Sequence, residues 1–169
     1  MVPTAPSVGL LINSNNPTAE AAAKTALEST STHQLKLVVQ SASSESELIT
    51  AFANFAQQQI AALVVDADPF FTTRRVQLIA LAAQHSMPTI YPQRVFVLDG
   101  GLVSYGGDLR SGYRNAGGYI GRIVRGAKPA DLPVQQSTRV ELIVNLKTAR
   151  TLGLDLPTSI LVRADEVIE

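Results

Sequence analysis

Cysteine and tryptophan are absent from this 169-residue chain, and histidine occurs only twice. Without cysteine there is no disulfide, no thiolate zinc site and no thiol nucleophile. Charge of either sign is also missing in excess: 14 Lys+Arg balance 14 Asp+Glu, for a formal net charge of zero. A partner held mainly by charge, whether nucleic acid or an acidic membrane surface, is therefore disfavoured. The longest apolar run, residues 60–65, is far short of the ~20 residues that a membrane span needs. No Lys or Arg precedes Lys24, so the basic start of a signal peptide is not seen, and the chain is expected to be soluble and to carry no address. An apolar fraction of 46% excludes disorder, and 11 Gly with 9 Pro exclude collagen-like or low-complexity sequence. The length allows one ordinary domain, or two small lobes sharing it.

What is present is an alternation. Short apolar runs at 8–12, 35–39, 61–65 and 88–91 are separated by helix-length segments, which predicts β-α-β-α-β-α-β. That order, with short loops, implies an α/β fold, a parallel β-sheet flanked by helices on both sides. Asn16 followed by Pro17 is expected to cap the first helix. Ser44 with Glu47 reads as a capping box for the second, whose inner face would carry Leu48, Phe52, Phe55 and Ala56. A third helix over about 73–84 is expected to turn Val76, Ile79, Ala80 and Ala83 inward.

Past Tyr91 the pattern changes. A brief strand at 102–105 ends in Gly106 and Gly107, and a long helix should begin near Asp108. Leu109, Tyr113, Ala116, Ile120, Ile123 and Val124 would share one stripe of it, and Arg110, Arg114, Arg122 and Arg125 a separate face. Gly117, Gly118 and Gly121 weaken that helix and suggest close packing against another backbone. Gly126 ends it, residues 129–133 read as an extended linker, and a last strand at 140–145 leads to a short helix at 147–152 and a tail.

In an open parallel sheet, ligands bind beyond the carboxyl ends of the strands. The residues expected there are the Asn13–Asn16 loop, residues 41–44, Asp66 to Asp68, Tyr91, and Ser104 with Tyr105. His33 and His85 fall at helix C-terminal ends, on the opposite edge, so Ser-His-Asp catalysis has no base in position. Asp66 and Asp68 could hold a divalent metal, salt-bridge a ligand ammonium or simply cap a loop. The glycines at 100–107 match no dinucleotide fingerprint, and no Walker-type motif exists. What remains is an edge suited to a neutral or zwitterionic ligand. Helix N-termini favour its carboxylate, Asp66 or Asp68 its amine, and Phe70 and Tyr105 its flat apolar parts.

The closing run VELIVNLKTARTLGLDLPTSILVRADEVIE (140–169) is the most specific stretch. GLLINSNNPTAE (9–20), DADPFFTTRRVQLIALAAQHSMPTIY (66–91) and GGLVSYGGDLRSGYRNAGGYIGRIVRGAKPADLPV (100–134) accompany it. Together they resemble the periplasmic substrate-binding proteins of ABC transporters, in the group that includes tryptophan/tyrosine-type binders. The resemblance implies a type I periplasmic binding fold, in which two α/β lobes close on a small ligand. Residues 1–91 would be the second-lobe sandwich, 92–134 a partial first-lobe segment, and 135–169 the return to the second lobe. Carried over by motif, the ligand-binding positions would be Ser14, Asn15, Asn16, Asp66, Asp68, Phe70, Ser104 and Tyr105.

The same resemblance implies a small-molecule ligand, an amino acid or a relative of one, an ABC permease as partner, no cofactor and no catalysis. Family members are longer at the front, so this chain is expected to be the C-terminal portion of a periplasmic parent whose signal sequence it lacks. Two other readings stay open: a ligand-sensing regulatory domain of the same fold, and a metal-dependent enzyme using Asp66 and Asp68. A helix whose apolar stripe has lost its partners should be covered by a second copy, so a homodimer is expected.

Overall fold

The expected apolar runs, and one further segment, become seven strands of a single sheet. A computed structural model describes residues 7–33, 35–134 and 140–169. The strands are β1 (Ser7–Ile12), β2 (Lys36–Ser41), β3 (Ala62–Val65), β4 (Thr89–Tyr91), β5 (Val103–Gly107), β6 (Val140–Asn145) and β7 (Glu166–Ile168). Their spatial order is β2-β1-β3-β4-β5-β6-β7. The first five run parallel, β6 is antiparallel to β5, and β7 is parallel to β6. The expected parallel sheet thus carries a reversed pair at one side, because the chain leaves β5 and returns along its neighbour.

Among the described residues eight helices connect or follow these strands: α1 (Ala19–Thr32), α2 (Glu45–Gln57), α3 (Pro69–Thr73), α4 (Arg75–Gln84), α5 (Arg94–Leu98), α6 (Leu109–Val124), α7 (Leu146–Thr151) and α8 (Thr158–Leu161). None of the described helices is long and apolar enough to cross a membrane. Strand alternation divides the core. On one face Leu11, Leu63 and Val65 meet Leu48, Phe52 and Phe55 of α2, Phe71 of α3, Leu78 of α4 and Phe96 of α5. On the other, Leu10, Ile12 and Val64 meet the small side chains Ala19, Ala23 and Ala26 of α1. A third cluster joins Val103 and Val144 to Ala149 of α7 and Leu156.

Several local expectations shift. The Asn16 oxygen accepts from the Thr18 N–H, so Asn16 turns the loop and α1 starts only at Ala19. Ser44 caps α2 as expected, but Glu47 reaches back one residue further and accepts from the Ser43 N–H at 2.7 Å. The third expected helix forms as α4, preceded by the short unexpected α3, and α4 buries Leu78, Leu81 and Ala82 rather than the stripe through Val76, which is 67% exposed. The segment is apolar nearly all round, so periodicity alone does not choose the face. Large Leu78 and Leu81 do. Residues 129–131 form a 3-10 turn instead of extended chain, and the tail contains α8 and β7. Tyr91 lies in the core, stacked on Phe96 with centroids 4.8 Å apart, and not at the sheet edge as a ligand contact.

Residues 92–107, grouped in the sequence with the segment that follows, sit within the sheet and its covering layer, with α5 packed against the core and β5 paired on both sides. The part that leaves the sheet begins at Asp108. Helix α6 has no buried residue, and Tyr113 on its apolar stripe is 78% exposed. A Cβ added at Gly117 or Gly118 would meet nothing within 4 Å, so the expected close backbone packing is not made among the described residues.

Candidate functional site

Strands β1 and β3 are adjacent and parallel, yet the chain leaves β1 into α1 on one face and β3 into α3 on the other. The connections therefore diverge and leave a crevice at the carboxyl ends, where such sheets bind ligands. The residues flanking it are Asn13–Asn16 and Asp66–Asp68.

Asp68 organises this crevice. It is 5% exposed and caps α3 by accepting from the Phe70 N–H at 2.8 Å. The same carboxylate accepts from Asn13 Nδ2 at 3.0 Å and from Asn16 Nδ2 at 2.8 Å. Burial pushes the Asp68 carboxyl up, but hydrogen bonds from Asn13, the Phe70 N–H, Asn16 and the Phe71 N–H outweigh it, so the carboxyl lies below its ordinary value. The loop after β1 is knotted further by Asn13, whose side-chain oxygen accepts from the Asn15 N–H. These bonds hold the backbone and leave the Ser14 and Asn15 side chains exposed at the rim.

Asp66 has a different setting. It is half-buried and lines a shallow depression against Thr18 and against Ala21 and Ala22 of α1. The two carboxylates thus have separate neighbours, and among the described residues no group of three or more acidic or histidine side chains could hold a metal. Phe70 is partly buried against the core, its ring 5.6 Å from that of Phe71.

A second polar cluster lies at the same edge, beyond β4 and β5. Gly106 permits it: a Cβ there would stand 1.9 Å from the Pro92 carbonyl oxygen, so only hydrogen fits where the two strand tips meet. Next to this contact is a cavity of about 90 Å³ bordered by Gln93, Arg94, Ser104, Asp108, Arg110 and Glu141. Asp108 caps α6, accepting from the Arg110 N–H and the Ser111 hydroxyl. The Ser111 bond, the two N–H groups and the Arg110 charge outweigh burial and hold its carboxyl below the ordinary value. Ser104 and Tyr105 are not brought together. As neighbours on a strand they point to opposite faces. Ser104 turns to the cavity, whereas Tyr105 lies over the other face with Val64, Ile90 and Leu142.

The structure therefore gathers Ser14, Asn15, Asn16 and Asp68 at one crevice, with Ser104 further along the same edge, and sets Asp66, Phe70 and Tyr105 apart. Gln93, Arg94, Arg110 and Glu141 were not anticipated. A helix start near Asp108 was expected, but nothing in the sequence sets Glu141 opposite Gly106, a pairing that exists only through the antiparallel register.

A family model described as ABC transporter substrate binding protein matches residues 1–168. No curated protein matches the chain. Among solved structures, a conserved domain protein from Vibrio cholerae is 23% identical, with a TM-score of 0.87 over 98% of this chain and 56% of its own. An ABC domain in complex with L-Trp from Streptococcus pneumonia is also 23% identical, with a TM-score of 0.85 over 98% of this chain and 57% of its own. A ligand-free, open substrate binding protein with adhesive properties from Clostridium difficile, 20% identical, gives 0.72 over 99% and 56%. These likenesses concern the fold, and the chain spans a little over half the length of each structure.

Proposed function

Because this chain belongs to the family of ABC transporter substrate-binding proteins, we propose that it recognises a small polar solute at the crevice between the tips of β1 and β3. The solute is an amino acid or a close relative, and the recognition serves an ABC permease outside the cytoplasm. The observation that carries this reading is the triple use of Asp68. One buried carboxylate fixes Asn13, Asn16 and the start of α3, which presents Ser14 and Asn15 on a rigid loop. No step of bond making or breaking is assigned, since Asp68 is committed to the protein itself. The L-Trp in the Streptococcus structure supports an amino acid as the ligand class. The sheet with its covering helices would form one lobe, and the excursion from Asp108 to residue 134 would reach toward the other.

A thermal-shift series over free amino acids and small polar metabolites tests the reading on this chain. A ligand at about a hundred times its Kd adds about 2.7 kcal/mol, an upward shift of roughly 5–10 °C for a domain of this size. Ser14→Ala combined with Asn15→Ala should abolish the shift while leaving the unliganded Tm within about 2 °C, since both side chains are exposed. No shift with any compound overturns the reading.

A further inference from the structure

Glu141 is 7% exposed and lies at the start of β6, facing the cavity beyond β4 and β5. Its carboxylate makes no hydrogen bond among the described residues. The nearest cations are Arg110, at 3.6 Å, and Arg94, at 3.9 Å. Charge-assisted hydrogen bonds run at roughly 2.7–2.9 Å, so neither guanidinium has closed on it. Arg94 is committed elsewhere, donating to Glu166 at 2.8 Å. Asp108 is committed to the first turn of α6. Glu141 is thus the one carboxylate of the cluster without a close partner, and with Asp108 and Glu166 it makes three carboxylates against two guanidiniums.

An independent observation marks the same spot. Ser104 is 1% exposed, lines the cavity, and its hydroxyl has no hydrogen-bond partner among the described residues. A buried hydroxyl left unpaired is costly, and in native proteins such groups usually await a ligand or water. Two unsatisfied acceptors therefore meet in a space of about 90 Å³, with Gln93 beside them. That space suits a small polar group rather than a whole solute. Arg110, largely exposed, is the one neighbour free to swing aside for an incoming cation.

We propose that Glu141 and Ser104 form the seat for the primary ammonium group of the bound solute, with Gln93 at its border. The assignment rests on the solute-recognition reading and narrows it to ligands that carry a protonated amine. It also relocates the amine contact, which the sequence placed at Asp66 or Asp68. The rest of the solute would extend from this seat along the strand tips toward the Ser14–Asn15 loop.

Isothermal titration calorimetry of this chain with matched probes tests the assignment: L-tryptophan, tryptamine, and 3-indolepropionate, which lacks the amine. The two amines should bind, and 3-indolepropionate should bind at least about tenfold more weakly. Glu141→Gln should weaken both amines about tenfold without changing 3-indolepropionate, and Ser104→Ala should act in the same direction. Arg110→Ala, which removes the competing cation, should tighten the amines several-fold, a gain that a misfolded variant cannot mimic. Amine binding indifferent to Glu141→Gln, or 3-indolepropionate binding as tightly as tryptophan, overturns the ammonium seat and leaves solute recognition standing. If none of these probes binds but another solute shifts the melting temperature without dependence on Glu141, the seat falls alone. If nothing binds in either assay, both readings fall.

Discussion

Asp68 stands between two loops that have no other bond to each other among the described residues, and its side chain does the work of three separate contacts. Replacing it by alanine removes a helix cap and leaves the buried Asn13 amide unpaired. The combined loss is expected at about 2–4 kcal/mol in urea denaturation, with binding lost as the Ser14–Asn15 loop loosens. Asp68, Asp108 and Glu47 all sit below their ordinary values of 3.8 for aspartate and 4.5 for glutamate; for Glu47 the bonds from the Ser43 backbone and hydroxyl lead. A depressed carboxyl contributes stability that is complete above the unfolded value and is lost as pH falls through the folded one. The urea midpoint should therefore stay level from neutral pH to about pH 5 and fall below it, with a shallower fall in Asp68→Asn. At this scale the sequence shows which residues carry polar chemistry but not which are already spent. Asp68 and Asp66 look alike in Val-Asp-Ala-Asp-Pro, and only the fold binds one and leaves the other at the surface of α1.

Strands β1–β6 and helices α1, α2, α4, α6 and α7 were readable from pattern, because their apolar runs are short and separated by polar or breaking residues, whereas the short helices α3, α5 and α8 were not. Ser44 acts as the cap its position suggested, whereas Asn16, expected to cap α1, turns the loop before it. What pattern does not supply is the choice among equivalent faces. In α4 the run VQLIALAA offers two stripes of helical spacing, and the sheet accepts the one with Leu78 and Leu81. Leu78→Ala should therefore cost about 2–5 kcal/mol, against less than about 0.5 kcal/mol for Val76→Ala, measured by denaturant titration. Strand β7 escaped notice for a related reason. Three residues ending in Glu166–Ile168 have no alternation to detect and become a strand only by pairing with β6. At the tips of β4 and β5, Gly106→Ala should destabilise by about 1–3 kcal/mol, because its methyl group would strike the Pro92 carbonyl, a backbone atom that cannot rotate away.

For the whole molecule, the layered α/β architecture followed from the order of elements, and family membership from the closing motif. The reversed pair β6–β7 did not follow, since strand direction after a long excursion depends on where the chain re-enters. Helix α6 is where the molecule's surface departs most from that of an ordinary domain. Leu109, Tyr113, Ile120 and Val124 are all more than half exposed along one helix. Such a stripe is unfavourable in water. This chain should therefore self-associate through α6, giving a dimer by light scattering at tens of micromolar, roughly the usual assay range. Ile120→Glu should return it to a monomer without loss of helical signal. A monomeric parent sequence under those conditions would remove α6 as an interface.

Gly107, the last residue of β5, is paired directly with Val140, the first residue of β6. The excursion that carries α6 thus leaves the sheet and re-enters it at a single rung of one ladder, from neighbouring strands. Glu141, the next residue of β6, pairs with Gly106, so a solute seated against Glu141 would lie one rung from the point where that excursion leaves the sheet.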